Sequence, residues 1–193
     1  MRVKINNVRI AFPKLFKAER VGDDGDPQHS ASFIIPKNHP AVKDIEKAIR
    51  EVAKDKWADK ADIMMKKITA ENKLCLKDGD LKAEYDGYAG NLYINANNKV
   101  RPFVVDRDKT QLNPDDGVIY AGCYVNAVLD IWPMDNKYGK RINATLLGVQ
   151  FNKDGDAFAG GAPATEADFD DLSLEDQISE YVAQPRSGEF SIA

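Results

Sequence analysis

The sequence contains little of the side-chain chemistry that metal sites and many enzymes require. Its 193 residues include two cysteines and two histidines. Cys75 and Cys123 are far apart, so the sequence offers neither zinc-ligand spacing nor a Cys–His pair. Both lie in strand-like segments, which predicts buried, reduced thiols rather than a disulfide. The motifs G-x-S-x-G, G-x-x-x-x-G-K-[ST] and G-x-G-x-x-G are absent as well. We therefore expect no catalytic activity, no cofactor and no bound metal.

Long hydrophobic runs are also missing. No segment approaches the ~20 apolar residues that a membrane-spanning helix needs. The N-terminal residues 1–12 alternate between polar and apolar side chains instead of forming the apolar core of a signal peptide. We expect a cytoplasmic protein with no membrane partner.

Charge is distributed unevenly along the chain. The whole sequence has 27 basic and 31 acidic residues, and residues 154–193 contain ten acidic residues against one basic residue, Arg186. Residues 1–153 therefore keep 26 basic and 21 acidic residues, a net charge of +5 against −9 for the remainder. We predict one folded domain over 1–159 and an acidic, largely disordered tail over 160–193. Such asymmetry indicates nucleic-acid binding or a tail that binds other proteins.

The hydrophobic pattern predicts a mainly β fold with one helix. Apolar residues at steps of three and four predict an amphipathic helix over 41–58, continuing less regularly to Lys67. Residues 2–12 alternate with a change of phase at Asn6 and Asn7, as expected for a strand with a bulge. Further strands are predicted at 30–36, 73–80, 91–96, 99–106, 118–132 and 137–151. Strongly curved strands with one inserted helix suit a five-stranded barrel of the OB type, followed here by the flexible acidic tail.

The segment 118–132 is the most informative strand candidate. One parity is entirely apolar, from Ile119 to Ile131, and predicts the inward face. The opposite parity presents Tyr120, Tyr124 and Trp132 to solvent, and Gly122 is a position where so long a strand could bend.

Outward aromatic residues recur among basic residues elsewhere in the predicted sheet. Such a surface suits single-stranded nucleic acid, because bases stack on the rings while lysine and arginine follow the phosphates. An outward ring could instead cap the barrel or lie in a homodimer interface, and the sequence leaves the oligomeric state open. The candidate DNA-binding residues are Tyr93, Arg101, Phe103, Arg107, Tyr120, Tyr124, Trp132, Lys137, Tyr138, Lys140 and Arg141.

Two other functions remain open at this point. A metal-dependent nuclease could use Asp106, Asp108, Asp115 and Asp116, although their loop context favours solvated turns. The aspartates at 23, 24 and 26 likewise favour a turn over a cation site. Alternatively, the acidic tail could be the active part of a protein-interaction module.

Two segments carry a resemblance to a known family. "VRIAFPKLF" (8–16) and "GCYVNAVLDIWPMDNKYGKRINATLLGVQFNKDGDAF" (122–158) are similar to the OB-fold single-stranded-DNA-binding proteins of tailed bacteriophages. The resemblance implies a barrel that binds single-stranded DNA with little sequence preference, in the cytoplasm of an infected bacterium or a lysogen. It also implies an acidic tail that contacts phage or host replication and recombination proteins. One departure is expected: the helix follows the second strand here, whereas an OB barrel usually carries it after the third.

Overall fold

The computed structural model describes residues 1–20, 22–23 and 25–159, together with the single positions 169 and 172. Residues Met1–Ala162 form one compact unit. The predicted tail lies almost wholly outside the described residues, and the predicted domain boundary stays a prediction. In chain order the elements are β1 Arg2–Glu19, β2 Gln28–Pro36, α1 Pro40–Trp57, α2 Ala61–Ala70, β3 Leu76–Asp78, β4 Asn91–Asn98, β5 Phe103–Val105, β6 Tyr124–Asn136 and β7 Gly139–Lys153. Short 3₁₀ turns occupy Ala58–Lys60, Gly79–Lys82 and Pro114–Asp116.

Five of the strands close into a barrel. β1 pairs antiparallel with β2 and β6, β2 pairs with β4, and β6 pairs with β7. The barrel closes where β4 meets β7 in parallel, at the pair Asn97 and Thr145. The short strands β3 and β5 extend β4 and β7, respectively. The prediction of a mainly β, five-stranded OB-type barrel is confirmed, and the helical segment follows the second barrel strand.

The register of β1 shifts at three places, and a residue with a positive φ lies at two of them. The first shift lies between Ile5 and Val8, where Asn7 adopts a φ of 53° and its backbone N–H donates to Asn126 Oδ1 at 2.9 Å. This is the bulge that the change of phase predicts. A second shift follows Ala11, and there Phe12 has a φ of 48°.

The amphipathic helix covers the core as predicted. Val42, Ile45 and Ile49 are among its buried residues, and it begins at Pro40, where His39 Nδ1 accepts from the Ala41 N–H. None of the described helices is long and apolar enough to cross a membrane.

Strand β6 has the predicted faces but different ends. Cys123, Val125 and Leu129 are fully buried, while Tyr124 and Trp132 lie on the outer face. The ladder begins at Tyr124 rather than at 118, because Gly122 turns the chain with a φ of 105°. A Cβ at this glycine would lie 2.3 Å from the carbonyl oxygen of Asp156, so the segment that follows β7 packs directly against the turn.

Candidate nucleic-acid interface

A polar groove lies at the seam where β4 meets β7. The seam groove has a volume of about 110 Å³, and none of the described residues that line it is acidic. Alternation places Ile94, Ala96, Ile142 and Ala144 in or next to the core, so the intervening side chains face outward. The polar residues that line the seam groove are Asn72, Lys73, Lys77, Asn95, Asn97, Arg141 and Asn143.

The basic residues at the seam groove repel one another. The pKa of Lys77 is lowered, first because the side chain is partly buried and then because Lys82 and Arg141 add positive charge nearby. Lys73 differs, since its ammonium group bonds to Glu71 at 2.7 Å. A bound phosphate would relieve the repulsion among Lys77, Lys82 and Arg141, which makes this part of the surface suited to an anionic ligand.

The tip of the β6–β7 hairpin adds an exposed aromatic residue. Lys137 and Tyr138 form its two-residue turn. Tyr138 is 74% exposed, and the centroid of its ring lies 4.9 Å from Lys137 Nζ. Lys140 is less available, because it pairs with Asp135 at 2.6 Å. Hydrogen bonds from Lys140 and then from the Trp57 indole lower the pKa of Asp135, and the bond from Trp57 ties the hairpin to the end of α1.

Two predicted aromatic residues share the outer face of β6 but are well separated. Trp132 is exposed and donates through Nε1 to Thr145 Oγ1 at 2.9 Å. Tyr124 lies between two cations, with Arg9 Cζ 5.8 Å and Lys153 Nζ 4.7 Å from its ring centroid. Eight residues of extended strand separate the two rings by about 27 Å. A single nucleotide could therefore not contact both.

Arg101 and Phe103 both lie in the predicted strand 99–106, but the structure does not place them on one strand. β5 begins at Phe103, so Arg101 precedes the strand, and its guanidinium carbon lies 5.1 Å from the Phe16 ring. Phe103 is exposed beside Gly148 on the outer surface, and Arg107 is exposed in the turn after β5.

The predicted solvent exposure of Tyr93 and the predicted strand position of Tyr120 are also wrong. Tyr93 is on the outer side of β4 but only 2% exposed, because the segment 79–90 folds over it and places the Tyr88 ring 5.0 Å away. Tyr120 precedes β6 and packs against the core. Its hydroxyl donates to Asp154 Oδ1 at 2.8 Å and accepts from the Gly155 N–H at 3.2 Å, which is a structural role.

The nuclease alternative has no site in the part of the chain that the structure describes. Asp106, Asp108 and Asp116 each accept a backbone N–H in their own turns, at 2.7, 2.9 and 2.6 Å. Asp26 pairs with Lys99. Among the described residues, no three His, Cys, Asp or Glu side chains come close enough to hold a metal ion.

Several residues of this surface escape prediction from the sequence. Lys77 and Lys82 lie in a segment of ordinary turn composition, "KDGDLK", and only the fold brings Arg141 near Lys77. Phe12 and Tyr85 are exposed and in contact. The alternation of residues 2–12 groups Phe12 with the other apolar residues of that strand, and the sequence around Tyr85 gives no signal.

A closed five-stranded barrel with a cationic groove and exposed aromatic residues is the architecture of OB-type nucleic-acid-binding proteins. The family model described as "Enterobacter phage Enc34, ssDNA-binding protein" matches residues 1–180, and the chain belongs to this family. The resemblance inferred from the sequence is thereby confirmed. The expectation of a non-catalytic protein agrees with the family and with its structural relatives, which are DNA-binding proteins rather than enzymes.

Individual relatives agree with the family. The chain is 46% identical over 180 residues to "Putative protein p50" of Acyrthosiphon pisum secondary endosymbiont phage 1, covering 92% of this chain and 97% of that protein. It is similar to the single-stranded DNA-binding protein from bacteriophage Enc34 in complex with ssDNA, with 32% identity, a TM-score of 0.69 and coverage of 80% of this chain and 88% of that chain. The bacteriophage T7 single-stranded DNA-binding protein gp2.5 matches with 13% identity, a TM-score of 0.54 and coverage of 100% and 99% of the two chains, and shares the fold alone.

Proposed function

We propose that the chain binds single-stranded DNA with little sequence preference and coats it during phage replication or recombination in the cytoplasm of the bacterial host. The observation that carries the proposal is the seam groove, where Lys77 and Arg141 lie beside amide side chains and Lys82 adds positive charge near Lys77. In OB folds, the outer face of the second and third barrel strands and the loops beside it bind oligonucleotides. Here those strands are β2 and β4, and the seam groove lies along β4.

The hairpin tip extends this surface. In barrel order it is the loop between the fourth and fifth strands, the second region that OB folds use for oligonucleotides. Tyr138 offers a ring on which a base can stack, and Lys137 lies against the same ring. Stacking of this kind requires unpaired bases, so a duplex should bind much less tightly.

The decisive experiment is a titration of fluorescently labelled oligo-dT and of a matched duplex, each at two salt concentrations. We expect tighter binding to the single strand and a log–log salt slope of about −2, because each of three phosphate contacts contributes about −0.7. Equal affinity for duplex and single strand would refute the proposal.

The acidic tail supports a second part of the proposal, the recruitment of replication or recombination proteins. Residues 160–193 contain eight acidic residues and one basic residue, so their removal changes the net charge of the chain from −4 to +3. We expect the shortened chain to bind single strands more tightly at low salt, since a competing negative segment is lost, and the gain to shrink as salt screens it. It should also lose contact with partner proteins in a pull-down with host and phage replication proteins. Weaker DNA binding by the shortened chain would contradict this competition.

A further inference from the structure

A cavity of about 490 Å³ opens on the outside of the barrel beside the second register shift of β1. Its volume lies within the range of ordinary small-molecule sites. We call it the Phe12 pocket. Its residues are Ala11, Phe12, Pro13, Lys14, Glu19, Glu84, Tyr85, Asp86, Tyr88, Ala121, Phe158 and Ala159.

Two exposed aromatic rings stand at its mouth. The Phe12 and Tyr85 side chains are 50% and 44% exposed, and their rings meet edge to face at 5.2 Å between centroids. Phe12 reaches this position because its φ of 48° interrupts the alternation of β1. A positive φ is costly for an aromatic residue and is held by the surrounding structure. Here it leaves a large ring half in solvent.

The Phe12 pocket and the seam groove lie on the same outer face of the barrel. Asn95 of the seam groove pairs with Ser32 of β2, and Ser32 pairs with Ala11 of β1 at the pocket wall. Two strand spacings of about 4.8 Å therefore separate the two sites by roughly 10 Å. A strand of DNA with phosphates at the seam groove could thus place a neighbouring base at the Phe12 pocket.

The charges around the Phe12 pocket select against a phosphate. Glu84 and Asp86 contribute negative charge, and Lys14 is already paired with Glu19 at 2.6 Å. A phosphate or an acidic peptide would be repelled. A nucleobase is uncharged, has two flat apolar faces, and carries N–H groups that can donate hydrogen bonds to a carboxylate.

We propose that the Phe12 pocket is a nucleobase-binding site, in which an unpaired base packs against Phe12 and Tyr85 while the adjacent phosphates lie at the seam groove. The inference rests on the proposed function and adds a specific base-binding site to it. None of the DNA-binding residues predicted from the sequence lines this site.

The test compares four proteins in titrations with labelled single strands: the unchanged chain, Tyr85→Ala, Tyr85→Phe and Ile63→Ala. We expect Tyr85→Ala to weaken binding about 5- to 160-fold, the usual effect of losing one stacking ring, with no change in the salt slope. Tyr85→Phe keeps the ring and should bind like the unchanged chain. Ile63 is 66% exposed and lies on α2, so Ile63→Ala controls for the loss of a surface apolar group.

A photocrosslinking experiment on the unchanged chain makes the test independent of any folding defect in the variants. Oligonucleotides that contain 5-iodouracil should crosslink to Phe12 or Tyr85, identified by mass spectrometry of the peptides. Crosslinks found only elsewhere, or a well-folded Tyr85→Ala that binds like the unchanged chain, would overturn the base site and leave the proposed function standing. Failure of the unchanged chain to bind single strands would instead refute the proposed function.

Discussion

Replacement of Arg141 by alanine should change both the salt dependence and the pH dependence of DNA binding. Arg141 is exposed at the seam groove and is one of the two charges that lower the pKa of Lys77. Each phosphate contact contributes about −0.7 to the log–log salt slope. The affinity of the unchanged chain, with three cations at phosphates, should therefore fall about 18-fold between 50 and 200 mM salt, and that of Arg141→Ala, with two, about 7-fold. Fluorescence anisotropy over a salt series measures both values.

The pH dependence follows from the Lys77 pKa. In the free protein that pKa is lowered by burial and by neighbouring charge, and a bound phosphate would raise it again. Binding therefore takes up a proton once the pH exceeds the free-state pKa, so affinity should decline as the solution becomes alkaline. In Arg141→Ala the free-state pKa of Lys77 is higher, and the decline should begin at a higher pH. Oligo-dC is the suitable ligand, because its bases do not titrate in the alkaline range.

The matched control is Lys43→Ala. Lys43 is exposed on α1, away from the residues of the seam groove, and its loss changes the net charge by the same amount. An Arg141→Ala protein whose salt slope equals that of Lys43→Ala would refute the assignment of phosphates to the seam groove.

Three further predictions concern the fold that supports this surface. Val125→Asp should lower the free energy of unfolding by more than about 4 kcal/mol and so unfold the chain, because it places an unpaired charge at a fully buried position of β6. A melting curve checks this, and a native-like transition would mean that the faces of β6 are misassigned. Gly122→Ala should lower the free energy of unfolding by about 1–3 kcal/mol, because a φ of 105° is strained for alanine and its Cβ would lie 2.3 Å from the carbonyl oxygen of Asp156. An unchanged free energy of unfolding in denaturant titrations would contradict this packing. Cys123 should react with thiol reagents only as fast as the chain unfolds, because it is fully buried and burial raises its pKa to about 11; rapid labelling of Cys123 in the native protein at pH 8 would show that it is accessible.

Periodicity in the sequence is a sound guide to which side of an element each residue occupies. The inward parity of β6 and the buried stripe of α1 follow directly from it, because side chains alternate along a strand and return every three to four residues along a helix. The bulge at Asn7 is predictable for the same reason, since one extra residue reverses the alternation.

Periodicity does not show what covers an outward face. Tyr93 is on the outer side of β4, as alternation requires, yet the segment 79–90 buries it. The prediction for Tyr120 is wrong for another reason. Gly122 turns the chain before β6 begins, so Tyr120 lies outside the strand, and its hydroxyl bonds to Asp154 in the segment after β7. In both cases the deciding contact comes from a segment outside the strand itself.

The sequence by itself determined the class of fold, the helix and the division of charge between a basic body and an acidic tail. These features depend on local periodicity and composition, which the residues carry in order along the chain. The tertiary structure alone decided that Arg141 lies near Lys77, and that Phe12 contacts Tyr85. The physical reason is barrel closure: β7 returns to β4 and the segment 79–90 folds onto β1 and β4, so residues distant in sequence become neighbours on one face.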